Sequence, residues 1–311
     1  MGNRKESDVK TPSPLTLITA LVTGMIAISF APILVRYSDA PVSVQGMYRM
    51  LFTVILMLPW GIKYIKQIRL ISVKDWLLLS VAGFFLALHF LLWMESVNYT
   101  SIASSTIILA LEPVFVMIGA YFVFNDRPGK AAVIGLFIAL IGACCIGSGD
   151  IGISRSAFIG DVLSLLGALA VAVNMLVAKR ILSRVPSYLY SLIVFTFTFV
   201  FFAAYNFTVN IPVSGYPAKE WFVFLLLAIV PTVFGHMIFN WLLQYVKATT
   251  VSMTVFAEPV GASLLGVWLF QEYISDFQII GGLGIIIGLV MYLRSEQQQQ
   301  KSSKSTVQLE G

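Results

Sequence analysis

The sequence predicts an all-α membrane protein: ten transmembrane helices arranged as two inverted five-helix repeats, with both termini cytoplasmic. Three observations predict it. The 311 residues are 58% hydrophobic and 11% charged, with a mean hydropathy of +0.88, whereas soluble domains carry about 25% charged residues. Ten apolar runs are long enough to cross a bilayer, which takes roughly 20 residues each. A Glu-Pro pair also recurs deep inside two of those runs, as Leu111-Glu112-Pro113-Val114 and Ala257-Glu258-Pro259-Val260.

Taken in order, the runs are Leu15–Val35, Ser43–Ile62, Trp76–Val97, Ser101–Phe124, Ala131–Ser148, Phe158–Ala178, Ser187–Val209, Trp221–Tyr245, Ala248–Phe270 and Phe277–Leu293. Polar Met1 to Pro14 reads as a cytoplasmic N-terminal tail, and the first run is too long for a signal peptide. The connections are short and carry Pro, Gly or charge, as in Ser38-Asp39-Ala40-Pro41 and Asn125-Asp126-Arg127-Pro128-Gly129. Such links join antiparallel neighbours and leave no room for an extra domain. The organisation is therefore a tail (1–14), a first repeat (15–148), a second repeat (157–293) and a Gln-, Lys- and Ser-rich tail (294–311) that reads as disordered.

Positive charge sets the orientation, because Lys and Arg concentrate in cytoplasmic loops. With the N-terminus inside, sixteen of the twenty Lys and Arg residues fall in inside segments. Arg36, Arg155 and Lys219 fall outside, and Arg49 lies within the second run. An even number of crossings returns the C-terminus to the same side.

Shifting the chain by the interval between the two Glu-Pro pairs reveals the repeat. Tyr99 then meets Tyr245, Phe124 meets Phe270, Asp126 meets Glu272, Gly135 meets Gly281 and Gly142 meets Gly288. Five helices per copy is an odd number, so the second copy enters from the opposite side. That is the inverted architecture of alternating-access secondary transporters.

Several stretches resemble the EamA type of the drug/metabolite transporter superfamily. Tyr99-Thr100-Ser101-Ile102-Ala103-Ser104-Ser105 through Glu112-Pro113, closing with Phe124-Asn125-Asp126-Arg127, resembles its fourth helix. Gly160-Asp161 through Ala178-Lys179-Arg180 is similar to the start of its second unit. Gly235-His236 through Asn240-Trp241-Leu242-Leu243, and Ala257-Glu258-Pro259-Val260 with Gln271-Glu272, resemble its eighth and ninth helices. The resemblance spans nearly the whole chain, departing at Asp126, where many relatives carry Glu, and at Glu112. It implies an exporter or exchanger of small metabolites in the cell membrane, with a central cavity lined by the first four helices of each unit.

Polar groups inside spans are costly and mark candidate sites. His236, Asn240 and Gln244 recur every fourth residue on the eighth helix. The third helix offers His89 and Trp93, the second Arg49, the sixth Asn174, and the fourth and ninth Glu112 and Glu258. These eight (Arg49, His89, Trp93, Glu112, Asn174, His236, Asn240, Glu258) are the substrate-cavity candidates. A mid-bilayer carboxylate costs about 2.5–3.5 kcal/mol on insertion scales. Each Glu is therefore either a substrate-amine or proton site, or a bond donor to a carbonyl that its proline neighbour leaves unpaired. Pro113 cannot donate to Leu109, nor Pro259 to Val255, so both prolines kink their helices. Arg49 reads either as an interfacial anchor reaching the headgroups or as an anion contact. The fifth and tenth runs have almost no interior polar groups, and Gly281, Gly282, Gly284 and Gly288 favour close packing; these two helices read as peripheral supports.

Other chemistry is poorly served. Gly147-Ser148-Gly149-Asp150 matches a GxGD string of intramembrane aspartyl proteases, which need a second facing aspartate. No metal-ligand spacing, nucleophile elbow or phosphate loop is present. The expectation is no enzyme, no cofactor, no metal and no nucleic acid. The partners are a small-molecule substrate, membrane lipids and, for the carboxylates, protons. The function expected is a secondary transporter exporting small metabolites (amino acids, related compounds or drugs). The alternative is a non-transporting scaffold or receptor on the same fold, and more remotely an intramembrane protease.

Overall fold

The computed structural model describes residues 12–100, 102–147, 154–270 and 276–310, and the described secondary structure is helical. Asp150 and the GxGD string beyond Gly147 lie outside the described residues. Ser13 caps the first helix, its hydroxyl accepting from the Thr16 backbone at 3.2 Å, and Pro14 fills the first helical position. There a missing N–H costs nothing. α1 (Pro14–Ser29) gives way to α2 (Ala31–Tyr37) at Pro32. α3 (Val42–Gly61), the short α4 (Ile65–Ile68) and α5 (Val73–Tyr99) follow. The fourth run is two helices, α6 (Ile102–Leu109) and α7 (Glu112–Phe124). α8 (Lys130–Gly147) closes the first half.

The second half runs through α9 (Arg155–Ile181) and α10 (Ser187–Thr208). α11 (Ala218–Leu227) leads into a π-helix, Ala228–Met237, and on to α12 (Ile238–Leu242). The ninth run is α13 (Ala248–Ser252), a 3₁₀ segment at Met253–Phe256, and α14 (Ala257–Phe270). α15 (Asp276–Glu310) is last.

Among the described residues eight helices are long and apolar enough to cross a membrane, and Lys130–Cys145 is a shorter apolar helix. The ninth run is not among the eight; its backbone changes pitch just before Glu258-Pro259. α15 continues through the Gln-, Lys- and Ser-rich stretch to Glu310. After Gly288 the described chain has no glycine or proline, and its Gln, Lys and Glu residues lose little side-chain freedom in a helix.

Packing explains the large exposed apolar side chains, such as Phe122, Phe137 and Ile280, which face outward along the spans. Inside, α5 packs on α9, α3 on α10 and α8 on α15. The last pair approach backbone to backbone. A Cβ on Gly135 would come within 2.6 Å of the Gly288 carbonyl oxygen, and one on Gly142 within 2.6 Å of that of Gly281. Glycine seams of this kind let membrane helices pack by close contact.

Ion pairs sit at the helix ends. Asp75 bonds Arg184 at 3.0 Å, while Lys247 bonds Asp126 at 2.7 Å and Glu296 at 3.0 Å. Lys219 holds Asp39 at 2.9 Å. Partial burial works against the Lys247 ammonium, yet the two carboxylates bonded to it hold its pKa above the usual lysine value. A raised folded-state pKa stabilises the fold below the unfolded pKa, and that contribution is lost only as pH rises through the folded value. It is fully present at neutral pH.

Replacing Gly288 with Val should break the α8–α15 seam, because the new Cβ would meet the Gly135 carbonyl oxygen and the Ala139 amide nitrogen. Overpacking of this kind costs about 1–3 kcal/mol. The expected result is a lower melting temperature for the detergent-purified protein, and an unchanged melting curve would refute the seam.

Candidate functional site

Arg49 is built into the middle of α3 and is fully buried, at 0% exposure. The guanidinium is thus enclosed by protein, against the reading of an anchor reaching the headgroups. Its Nε donates to Thr232 Oγ1 at 2.6 Å, and its Cζ lies 4.1 Å from the centre of the Phe90 ring. Nη1 and Nη2 have no hydrogen-bond partner. Thr53, one turn on, donates to the Arg49 carbonyl at 2.8 Å.

On α5, His89 Nδ1 lies 3.0 Å from the Gly167 carbonyl oxygen. A carbonyl only accepts, so this nitrogen carries the proton. Gly167 allows the approach, since a Cβ there would already touch the Trp93 backbone at 3.3 Å. The Trp93 ring lies nearly parallel to His89, with centres 6.1 Å apart, and its buried Nε1 has no partner. From the π-helix, His236 meets Phe90 edge-on at 5.1 Å. Asn240 on α12 donates to Ser191 Oγ at 3.1 Å.

Both carboxylates are buried, Glu112 at 3% and Glu258 at 1% exposure, and in each Oε1 lacks a partner. Each opens the first turn of a restarting helix, α7 or α14. At these prolines the helix changes course: α6 passes to α7 through the turn at Ala110-Leu111, and the 3₁₀ segment runs directly into α14. On α7, Leu111 N–H turns back to Ile108 at 3.0 Å before the helix resumes.

Seven of the eight sequence candidates (Arg49, His89, Trp93, Glu112, His236, Asn240 and Glu258) line one cavity. Apolar side chains including Ile28, Leu109, Met175 and Phe239 complete its walls. It has about 40 Å³ of room for water centres, enough for a few waters at about 10–15 Å³ each and too little for an organic solute. Asn174 is the exception. It is not among the lining residues, and its Nδ2 donates to the Ala82 carbonyl at 2.8 Å, joining α9 to α5. Gln244 likewise leaves the His236–Asn240 stripe and reaches the Leu182 carbonyl at 3.5 Å.

Thr232 is the site residue that the sequence reading missed. Pro231 was the available signal: a proline inside an apolar run frees the carbonyl four residues back. Pro32, at the α1–α2 break beside Ile28 and Ala31 of the cavity wall, was another such signal.

A multi-span helical protein with a buried polar cavity fed by both halves of the chain belongs to the membrane-transporter class. The profile of the EamA-like transporter family matches residues 15–148 and again 158–294, and the chain belongs to that family. It is a multi-pass membrane protein, and the names of its relatives indicate a transporter rather than an enzyme. An uncharacterized transporter of Archaeoglobus fulgidus is 24% identical over 291 residues, covering 91% of this chain and 98% of its own. An uncharacterized transporter of Clostridium kluyveri is 23% identical over 258 residues, covering 80% and 83%. A protein of known crystal structure superposes with a TM-score of 0.75 over 92% of this chain and 99% of its own. At 16% identity that likeness shows the fold alone.

Asn174→Ala should lower stability by about 0.5–1.5 kcal/mol, the net worth of the interhelical hydrogen bond it removes. It should leave solute affinity unchanged. Melting curves with and without solute check both halves of the expectation, and a loss of affinity at full stability would move Asn174 to the site.

Proposed function

We propose that the protein is a secondary transporter, exporting small zwitterionic metabolites (amino acids or related compounds) by alternating access. One observation carries the proposal. Groups from both halves of the chain open onto one buried cavity, which holds a guanidinium, two carboxylates and an indole N–H with unpartnered polar atoms. Buried polar groups are ordinarily paired, so a set of them facing one contracted space fits a site completed by a solute. Two carboxylates suit an ammonium group and the guanidinium suits a carboxylate. A scaffold or receptor has no need of such opposed groups.

The proposed architecture is ten crossings in two inverted units, with both termini cytoplasmic. Supporting the inversion, Gly135 and Gly281 are equivalent in the repeat, as are Gly142 and Gly288. In space Gly135 faces Gly288 and Gly142 faces Gly281. Contacts exchanged crosswise between equivalent positions are what a two-fold axis produces. Rocking of the two units about this axis would expose the cavity to each side in turn. Export is the direction that the family resemblance implies.

In liposomes the wild type should move a small zwitterion across the membrane. Glu258→Gln or Glu112→Gln should cut the rate at least about tenfold, since a charge-assisted bond to the ammonium is lost, while the variants remain monodisperse. Normal transport by both would remove the carboxylates from the site. Reporter fusions should place both termini in the cytoplasm, and cysteines replacing Asp39 and Lys66 should label from opposite sides. Labelling of both from one side would end the proposed topology.

A further inference from the structure

We infer that Thr232 is a positioning residue that turns Arg49 into the carboxylate-binding group of the cavity, an inference that rests on the transporter reading. The argument begins with Pro231. A helix passing through Leu227 would have residue 231 donate to the Leu227 carbonyl, and proline has no N–H to give. The π-helix answers by shifting the amide bond to the residue five along, and the Thr232 hydroxyl adds a second donor, to the same Leu227 carbonyl at 2.8 Å. With its hydrogen committed there, the hydroxyl can only accept from other groups. It accepts from Arg49 Nε at 2.6 Å. Thr232 is itself fully buried, so no water competes for that lone pair.

A guanidinium offers five donors in a planar fork. Fixing Nε on Thr232, and laying the plane over Phe90 at 4.1 Å, settles which edge remains. That edge carries Nη1 and Nη2, both buried and both without a partner. Among the described residues no carboxylate approaches Arg49 within the 4.0 Å of an ion pair, although Glu112 and Glu258 line the same cavity. The protein thus holds a fork of two free donors in a water-poor site, without an internal acid to occupy it. The complementary ligand is a planar anion with two acceptors, a carboxylate. The π-helix sets the geometry: its wider winding places Thr232 over the carbonyl of Leu227, five residues earlier. Such π segments are frequent at functional sites.

The test uses full-length protein in liposomes with matched probes: L-leucine and L-phenylalanine, each against its amide. The wild type should prefer the acids. Thr232→Val removes the hydroxyl at nearly constant volume. It should raise KM for the acids about tenfold, with the maximal rate and the KM for the amides unchanged. Thr232→Ser keeps the hydroxyl and should restore the preference. In wild-type protein, independently of any variant's folding, the acids should protect Arg49 from phenylglyoxal, mapped by mass spectrometry, and the amides should not. If the wild type moves acids and amides alike, or if Thr232→Val keeps the preference, the inference is overturned and transport stands. If the wild type neither moves nor binds any probe, the zwitterion reading falls together with the inference.

Discussion

Hydrocarbon gives a backbone carbonyl no water to bond, so a spanning chain can be irregular only where it is buried in protein. This constraint organises the molecule. Its irregular turns fall at Pro32, Pro113, Pro231 and Pro259, on four different spans. Counting four residues back from each gives the carbonyls that lose a helical donor: Ile28, Leu109, Leu227 and Val255. Three of these residues line the cavity, and the fourth is capped by Thr232, which holds Arg49. The broken backbone and the site are therefore one feature. Proline opens the helix, the opening must be buried, and the buried space collects the polar side chains.

The frame is repeated more faithfully than the chemistry it carries. The Glu-Pro pairs match residue for residue, and both begin a restarting helix. Around them the halves diverge. Arg49 corresponds to Phe195, a core side chain, and His89 to Gly235, one residue before His236. Asn174 corresponds to Ile28, which lines the cavity while Asn174 does not. The cavity consequently has a cation contributed by one half only and carboxylates contributed by both. A symmetric site would suit a ligand with two like ends; this arrangement suits one whose ends differ in charge.

Much of this was legible in the residues. Apolar length located the spans, and seven of the eight side chains selected for being polar inside them share one cavity. Sequence fails where the answer depends on the neighbour. Helical spacing tells which face Asn174 occupies, but not that this face meets the Ala82 carbonyl. Arg49 stands near enough to a helix end for its side chain to reach the interface, and only the packing of Phe90 and Thr232 shows that it stays inside. Thr232 is a small hydroxyl residue of a kind that back-bonds to its own helix throughout membrane proteins. Its second bond comes from a helix nearly two hundred residues away in sequence. Low hydrophobicity in the tail argues against a core, not against a helix that extends an already formed one.

On the proposed reading, alternating access would need a division between what stays rigid and what yields, and the contacts differ in that respect. The α8–α15 seam is backbone on backbone at glycines, with no side chain to rearrange. Other helix ends are instead joined by ion pairs such as Lys219–Asp39, with largely exposed side chains. Pairs of this kind are worth about 0–1 kcal/mol each, so they separate at little cost. Lys247 is the better-held one, partly buried between Asp126 and Glu296. Under the repeat offset its mate is Ser101, whereas Asp126 and Glu296 map onto the acids Glu272 and Asp150. In sequence, therefore, the acids of this cluster recur in the other half while its cation does not.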